Sequence, residues 1–383
     1  MDVEFHKLRP LADRLCDWAR HAALPFWLQY ARDPHGGFYE ELSLDGRANH
    51  GAIRRLRVQA RQVYVLCQSY ELGWLADNKA AEQTWDFMLS RGYKKEGKDG
   101  FIHRLNADGS VHDPRRDLYD HAFYLFACAW MIKTSPHHYV GQDKPKDILA
   151  QTLGFIDTAL TSSSGGWEEG LPPSPNQPRR QNPHMHLFEA FLTLYDITKE
   201  TLYLDYAHKI FALFKSHIIA SESGSIREFF TSKWDIWPGE TGASIEPGHI
   251  AEWIWLLGQY ENFSGIQTQN YADALYTPRF TQDPIYGHDE ENISGDVIRG
   301  TKRLWVQTEI IKAHLIQAGR GDAKALTRAI SFIEMFIEDY LHPKGTWTDQ
   351  LDAGNHPIAK TIPTSTFYHI LCMIIEAHNL SRL

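Results

Sequence analysis

A turn that joins glycine to an aromatic or apolar residue recurs six times along this chain of 383 residues. Successive copies lie 58 to 66 residues apart, so the copies cover the sequence from one end to the other. The six glycines are Gly37, Gly100, Gly166, Gly224, Gly287 and Gly345. A period of this length indicates an internal repeat in which each copy is one unit of secondary structure. The fifth copy is the weakest, because Gly287 follows its aromatic residue.

Two amphipathic stretches of helical length separate each turn from the next. Residues 183–198 and 202–219 form one such pair, and residues 248–263 and 266–275 form another. Their apolar residues recur every three or four positions, which is typical of a helix with one buried face. Six helix pairs predict an all-α fold, an (α/α)6 barrel with short β-hairpins in the loops on one face. We expect one catalytic domain over residues 1–383.

An open helical solenoid is the alternative to a closed barrel. Closure is favoured because the helices are rich in aromatic residues and no segment has the pattern of a polar terminal cap. In a closed barrel, the loops on one face build the functional site.

Composition and charge exclude several functional classes. A net charge of −9 argues against binding to nucleic acid or to an acidic membrane surface. No apolar run approaches the ~18 residues of a membrane span, and acids stand near the N-terminus where a signal peptide carries bases. The four cysteines occur singly, which suits a reducing compartment. We therefore expect a cytoplasmic protein without nucleic-acid or membrane partners.

The segment Glu246-Pro-Gly-His-Ile-Ala-Glu252 marks the start of a helix. Pro247 and Gly248 end the preceding element, and the helix begins at about His249. His249 and Glu252 are three residues apart, so they share one face of the first turn, beside unsatisfied N–H groups. An imidazole paired with a carboxylate suits proton transfer, and a structural histidine neutralised by glutamate fits the motif equally well.

The same spacing recurs at His186 and Glu189, close behind another helix start. Asn182 is a favourable N-cap ahead of Pro183, which suits the first helical position. Two independent histidine–glutamate pairs at helix starts weaken the purely structural interpretation of either one.

Arginine and aromatic residues also enter apolar helices. Arg57 and Arg61 are four residues apart and share a helix face, where a buried arginine needs either a carboxylate or a substrate oxyanion. Trp305 and Glu309 share a face too, which places a stacking surface beside an acceptor.

Tyr119, ahead of Asp120 and His121, and His369 complete this set of helix-start residues. The set recurs at the start of alternate helices, where the inner helices of a barrel would meet the loop face. We therefore expect these side chains to converge on one site.

Motifs for metals and cofactors are missing from the sequence. No HExxH motif occurs, and the side chains of His184 and His186 would diverge on a helix. The glycine-rich signatures of dinucleotide and P-loop sites and the nucleophile elbow of hydrolases are also missing. The sequence therefore predicts a site without a metal or a cofactor.

Together these segments resemble the N-acylglucosamine 2-epimerase superfamily over the full length of the chain. They are closest in appearance to D-mannose isomerases and other aldose–ketose isomerases. The segments that carry the resemblance are Arg57-Val-Gln-Ala-Arg61, Tyr119 before Asp-His-Ala-Phe, Asn182-x-His-x-His186-x-x-Glu189, Glu246-Pro-Gly-His249-x-x-Glu252-Trp, Trp305-x-x-x-Glu309 and Phe367-Tyr-His369. The resemblance implies an (α/α)6 barrel, a monosaccharide substrate and catalysis without a metal.

The resemblance also implies a role for each residue of the site. His369 would be the main base at C2 of the open-chain sugar, and His249 would assist ring opening or serve the opposite face. Arg61 would stabilise an enediolate, while Glu252 and Glu309 would orient the histidines. The residues implied to contact the sugar are His186, Asn182, Tyr119, Trp305 and Arg57.

The sequence constrains the product of the reaction less than it constrains the fold or the site. Phe367-Tyr-His369 is closer to the pattern of aldose–ketose isomerases than to that of cellobiose epimerases, and Arg57 replaces a tryptophan of several relatives. We expect a monomer or homodimer that interconverts D-mannose and D-fructose. A 2-epimerase that converts mannose or a related aldose, giving D-glucose from mannose, is the first alternative. More distant alternatives are an isomerase of a phosphorylated or sulfonated sugar and a glycoside hydrolase on the same barrel.

Overall fold

A computed structural model describes the backbone of residues 2–135, 144–173, 176–220, 223–282 and 286–383. The α-helices over these residues are α1 (Asp2–Trp18), α2 (Leu24–Tyr30), α3 (Leu56–Glu71), α4 (Lys79–Gly92), α5 (Leu118–Thr134), α6 (Pro145–Phe155), α7 (Asn182–Thr198), α8 (Thr201–Leu213), α9 (Glu240–Ala243), α10 (Pro247–Ser264), α11 (Gln269–Phe280), α12 (Leu304–Gly319), α13 (Ala323–Asp339) and α14 (Thr366–Leu380). Single π-helical turns continue α1, α6 and α8 at Ala19–Ala23, Ile156–Leu160 and Phe214–Ile218.

Six helices form an inner ring in the order α3, α5, α7, α10, α12 and α14, each in contact with the next. The ring closes because α14 also contacts α3. An outer helix packs on each of the first five inner helices, and α1 takes the sixth outer position against α14 and α13. This architecture is the predicted (α/α)6 barrel, and its closure excludes the open solenoid.

Inner helices are buried on nearly all sides, whereas outer helices are buried on one face, as their sequences predict. On α12 nearly every residue from Leu304 to Ala318 is buried, because other helices cover the inner ring on both sides. On α13, Ile333 is buried while Lys324 and Glu334 are exposed, as expected for an outer helix with one apolar face. Charged residues such as Glu189, Glu252 and Lys312 on inner helices are therefore held in the interior of the barrel.

Short strands join neighbouring repeats at the N-terminal ends of the inner helices. Each strand before an inner helix pairs antiparallel with a strand of the next repeat, and the β1–β16 pair joins the first repeat to the last. The strands are β1 (Glu41–Ser43), β2 (Arg54–Arg55), β3 (Arg104–Leu105), β4 (Val111–Asp113), β5 (Arg116–Asp117), β6 (Gly170–Leu171), β7 (Arg179–Arg180), β8 (Ile219–Ala220), β9 (Ser225–Ile226), β10 (Phe229–Phe230), β11 (Ser244–Ile245), β12 (Glu290–Asn292), β13 (Val297–Arg299), β14 (Lys302–Arg303), β15 (Gln350–Leu351) and β16 (Thr361–Pro363). These pairings form a second ring that fixes the loop face.

The repeat glycines occupy the tight turn that follows each outer helix. Five of them have φ between 56° and 88°, a conformation that side chains disfavour. At Gly287, in the weakest copy, lack of space and not the backbone angle requires a glycine. A Cβ there would lie 2.2 Å from Cδ1 of Ile310 on α12.

The predicted helix pairs agree with the structure to within a few residues, with one exception. The stretch expected to end at residue 275 continues as α11 to Phe280 and includes Pro278. A proline so close to the helix end removes only one backbone hydrogen bond, so the last turn of the helix is retained. Over the described part of the chain, none of the helices has the length and apolar character needed to span a bilayer.

Candidate active site

A cavity of about 320 Å³ lies where the N-terminal ends of the inner helices converge. Its lining includes eight of the residues proposed from sequence, namely Arg61, Tyr119, Asn182, His186, His249, Glu252, Trp305 and His369. Glu309 lies directly behind His369, and Arg57 lies outside. The lining residues that sequence reasoning missed include Arg55, Glu246, Arg303 and Asp349. The predicted convergence of helix-start residues on one site is therefore observed.

His249 lies in the first turn of α10 and is bound from two sides. Its Nδ1 lies 3.0 and 3.1 Å from the two carboxylate oxygens of Glu228, and its Nε2 lies 2.9 Å from the side-chain amide of Asn182. Burial disfavours the imidazolium, but Glu228 and Glu246 outweigh this effect and raise the pKa of His249 to about 9. The expected pairing of His249 with Glu252 is wrong, since Glu228 takes that place.

Glu228 belongs to a framework contact that recurs around the barrel. In three other repeats, a loop acid accepts the backbone N–H of an arginine just before an inner helix and also pairs with its guanidinium. These pairs are Glu40 with Arg55, Glu169 with Arg180, and Asp289 with Arg303. Before α10 the equivalent residue is Glu246, whose N–H lies 3.4 Å from Oε1 of Glu228. Because no arginine occupies this position, the carboxylate of Glu228 is available to His249.

His369 lies in the first turn of α14, across the cavity. Its Nδ1 lies 2.9 Å from Oε1 of Glu309, whose Oε2 forms an ion pair of 2.6 Å with Lys312. Burial, together with the cations Arg61 and Lys312, holds the pKa of His369 well below its ordinary value. At neutral pH this imidazole is uncharged and can accept a proton.

Trp305 lies between the two histidines. Its ring centre is 5.2 Å from that of His249 and 5.7 Å from that of His369. Gly248 makes this position possible, because a Cβ there would lie 2.6 Å from the indole ring. The indole is therefore an apolar surface between two histidines whose pKa values are shifted in opposite directions.

His186 and Glu252 line the cavity, and Glu189 pairs with His186. Nδ1 of His186 lies 3.1 Å from Glu189 and 3.7 Å from Glu252, so the pairing with Glu189 expected from their spacing is present. The carboxylate of Glu252 has no hydrogen-bond partner among the described residues. Burial and the nearby Glu309 raise its pKa well above the ordinary value, so Glu252 favours the protonated form, which can donate a hydrogen bond.

Arg61 has no carboxylate partner in the part of the chain that the structure describes. Its Nη2 donates to the hydroxyl of Tyr119 at 2.7 Å, and its guanidinium lies 4.2 Å from the ring centre of Phe123. A buried cation without a counter-ion that borders the cavity is suited to bind an oxyanion of substrate.

Arg57 has the carboxylate partner that the sequence left open as one of two possibilities. Its Nη1 lies 2.6 Å from Oδ1 of Asp120, and Nδ1 of His103 lies 2.6 Å from the other oxygen. Burial alone would raise the pKa of Asp120, but Arg57 and His103 lower it to about 2. Arg57 is therefore paired outside this cavity, and its predicted contact with substrate stays a prediction.

Among the residues that the structure describes, two clusters have donor atoms close enough to hold a divalent cation. His186, Glu189 and Glu252 form one, and His103, Asp117 and Asp120 form the other, with ligand atoms within 4.8 Å of one another. The first cluster already uses Glu189 to accept from the hydroxyl of Tyr368, and its Glu252 favours the protonated form, which is a poor ligand. The metal-free site thus stays a prediction.

The sequence profile of the N-acylglucosamine 2-epimerase (GlcNAc 2-epimerase) family matches residues 37–373. The chain belongs to this family. The resemblance proposed from sequence is thereby confirmed, and N-acylglucosamine 2-epimerase family membership makes the chain an isomerase or an epimerase.

Several members of the family align with nearly the whole chain. A "Mannose-6-phosphate isomerase" of Rhizobium meliloti (strain 1021) is 33% identical, covering 95% of this chain and 96% of its own. A "D-mannose isomerase" of Marinomonas mediterranea is 24% identical, with 91% and 92% covered. The solved structure of cellobiose 2-epimerase from Spirochaeta thermophila DSM 6192 superimposes with a TM-score of 0.85 at 22% identity, covering 98% and 97% of the two chains.

Proposed function

We propose that this chain is an aldose–ketose isomerase that interconverts D-mannose and D-fructose within a single catalytic domain. The observation that carries the proposal is the pair of histidines on either side of Trp305, whose pKa values are moved in opposite directions. At one pH, a protonated histidine and a neutral histidine can act as the acid and the base of a reaction.

The chemistry requires removal of a weakly acidic proton. The C2 proton of the open-chain aldose is acidic only through the C1 carbonyl, and the barrier lies in forming the cis-enediolate. Neutral His369 is the base that takes this proton, and the imidazolium of His249 donates to a sugar oxygen. Arg61, which has no counter-ion among the described residues, stabilises the negative charge that develops on O1 or O2.

The two histidines suit both isomerisation and epimerisation, and the resemblance of Phe367-Tyr-His369 to the pattern of aldose–ketose isomerases favours isomerisation. An isomerase can return the proton to C1 with the base that removed it from C2. An epimerase returns a proton to C2 from the opposite face, and the imidazolium of His249, paired with Glu228, is a proton donor suited to that step. The epimerase alternative rests on the position of the two histidines around Trp305 and on relatives named cellobiose 2-epimerase.

The substrate is proposed from the names of the relatives. A mannose-configured aldose is common to the D-mannose isomerase of Marinomonas mediterranea and the mannose-6-phosphate isomerase of Rhizobium meliloti. The carboxylates Glu189 and Glu309 each face a histidine, which supports proton transfer more than glycosidic cleavage by two opposed acids.

Incubation with D-mannose in D₂O tests the proposal. We expect D-fructose with deuterium at C1, detected by NMR, and D-glucose with deuterium at C2 would instead establish an epimerase. His369→Ala should lower the rate by about 10²- to 10⁴-fold, while His217→Ala, an exposed histidine outside the cavity, should not. Absence of exchange into D-mannose and D-mannose 6-phosphate would refute proton transfer at C2 of these sugars.

A further inference from the structure

A second cavity, of about 500 Å³, adjoins the first. Tyr119 and Asn182 line both cavities, so the two spaces are adjacent at these residues. Four arginines line the second cavity, namely Arg57, Arg104, Arg115 and Arg180. The proposed proton transfer uses none of them.

Two of these arginines have carboxylate partners and two do not. Arg57 pairs with Asp120, and Arg180 pairs with Glu169. Among the described residues, no carboxylate oxygen lies within 4.0 Å of the guanidinium nitrogens of Arg104 or Arg115. Within the described ranges, Nε of Arg115 is buried without a hydrogen-bond partner.

The lining of this cavity therefore carries excess positive charge in a chain whose net charge is −9. The carboxylates in the lining are Asp117 and Glu169, against four guanidinium groups. Burial and the neighbouring Asp120 raise the pKa of Asp117 to about 6, which further reduces the negative charge available below that pH. An anion entering the cavity meets half-buried Arg115 and exposed Arg104, neither of which has a carboxylate partner among the described residues.

We propose that this arginine cavity binds the phosphate of a phosphorylated aldose whose C1–C2 end lies between His249 and His369. The planar guanidinium presents paired N–H donors that match phosphate oxygens, and charge-assisted hydrogen bonds of this kind are among the strongest in proteins. The proposal rests on the proposed isomerase function and changes its preferred substrate from free D-mannose to a sugar phosphate. Tyr119 and Asn182 then contact the middle of the sugar, between the reacting carbons and the phosphate.

The test compares kcat/KM for D-mannose and D-mannose 6-phosphate at low ionic strength. We expect the wild-type enzyme to prefer the phosphorylated sugar by at least about tenfold, as charged hydrogen bonds require. The double variant Arg104→Gln/Arg115→Gln should lose most of this preference. The matched control Arg20→Gln/Arg91→Gln removes the same charge from exposed positions outside both cavities and should keep the preference. Circular dichroism checks that both variants are folded.

The outcomes separate this proposal from the proposed function. Isomerisation of both sugars with equal efficiency, unchanged in the double variant, would overturn the phosphate site and leave the isomerase standing. If neither sugar reacts, calorimetric titration with inorganic phosphate decides, and binding that does not depend on Arg104 and Arg115 overturns the site. A third outcome is that free phosphate binds in a way that depends on both arginines, but the enzyme does not prefer the phosphorylated sugar. The cavity would then be a site for the free ion, and the proposal that it binds a sugar phosphate would be refuted.

Discussion

Lys312 lies 2.6 Å from one carboxylate oxygen of Glu309, and the other oxygen lies 2.9 Å from Nδ1 of His369. All three groups are buried, and the Lys312 ammonium also lies 3.6 Å from the ring centre of Trp255. The pKa of His369 is lowered first by burial, then by the cation Arg61 and then by the cation Lys312, so the imidazolium form is disfavoured. Lys312 is therefore a positioning residue that acts on the proposed base through a carboxylate.

Lys312→Met should move the acidic limb of the profile of kcat/KM against pH to higher pH. The pKa of His369 is depressed, so the neutral base is lost only as the pH falls below the ordinary histidine range, and removing a cation weakens that depression. The broken buried pair should also cost about 3–5 kcal/mol of unfolding free energy, measured with urea. Lys199→Met, at an exposed pair with Asp196, is the control and should change neither quantity. An unmoved acidic limb would mean that Lys312 only supports the structure.

Glu228→Gln should lower the pH at which activity falls on the basic side. The pKa of His249 is raised above its ordinary value of about 6.5, so its stabilising interaction is complete below that value and is lost as the pH rises through about 9. Replacing the carboxylate by an amide moves this loss towards neutral pH, both in the rate profile and in unfolding free energy. Glu168→Gln, a more exposed acid paired with Arg179, should leave the basic limb in place. Identical basic limbs in wild type and Glu228→Gln would exclude His249 as the titrating acid.

Gly248→Ala should lower kcat/KM by about 10- to 100-fold, because a Cβ at this position forces the indole of Trp305 away from the histidines. Steady-state kinetics and tryptophan fluorescence measure the two effects. Gly154→Ala on α6 is the matched control, since nothing lies within 4 Å of its Cβ. That change should stabilise the helix by about 0.5–1 kcal/mol without affecting activity. Full activity in Gly248→Ala would show that the position of Trp305 does not matter.

Arg61→Gln should lower kcat by about 10²- to 10³-fold with a smaller change in KM, because the cation is needed most when the enediolate charge develops. Arg61→Lys should recover part of the loss, since it restores the charge but not the planar group. A raised KM at unchanged kcat would instead assign Arg61 to binding of the ground state.

The helices and the barrel could be predicted because their signals are local and repeated. Apolar spacing identified helices such as α7 and α12 nearly to their ends, and the glycine period gave the number of helix pairs. The end of α11 was misjudged because a proline near a C-terminus costs little.

The partners within the site were harder to predict, because they join different repeats. Spacing places His249 and Glu252 on one helix face, but it contains no information about Glu228 on the neighbouring loop. A usable signal did exist, since an acid follows the repeat glycine by two to four residues at Glu40, Glu169, Glu228 and Asp289. The partner of Arg57 stayed open for the same reason, as Asp120 comes from another helix.

His369 lies on α14, the helix that completes the inner ring by contacting α3. The β1–β16 pairing holds the same junction, where Thr361 donates to Glu41 across 320 positions of sequence. Contacts so distant along a chain form slowly during folding. The proposed base therefore reaches its partners only when the two ends of the sequence meet. A refolding chain should regain its helical circular dichroism before its turnover, so enzymatic activity reports the final step of assembly.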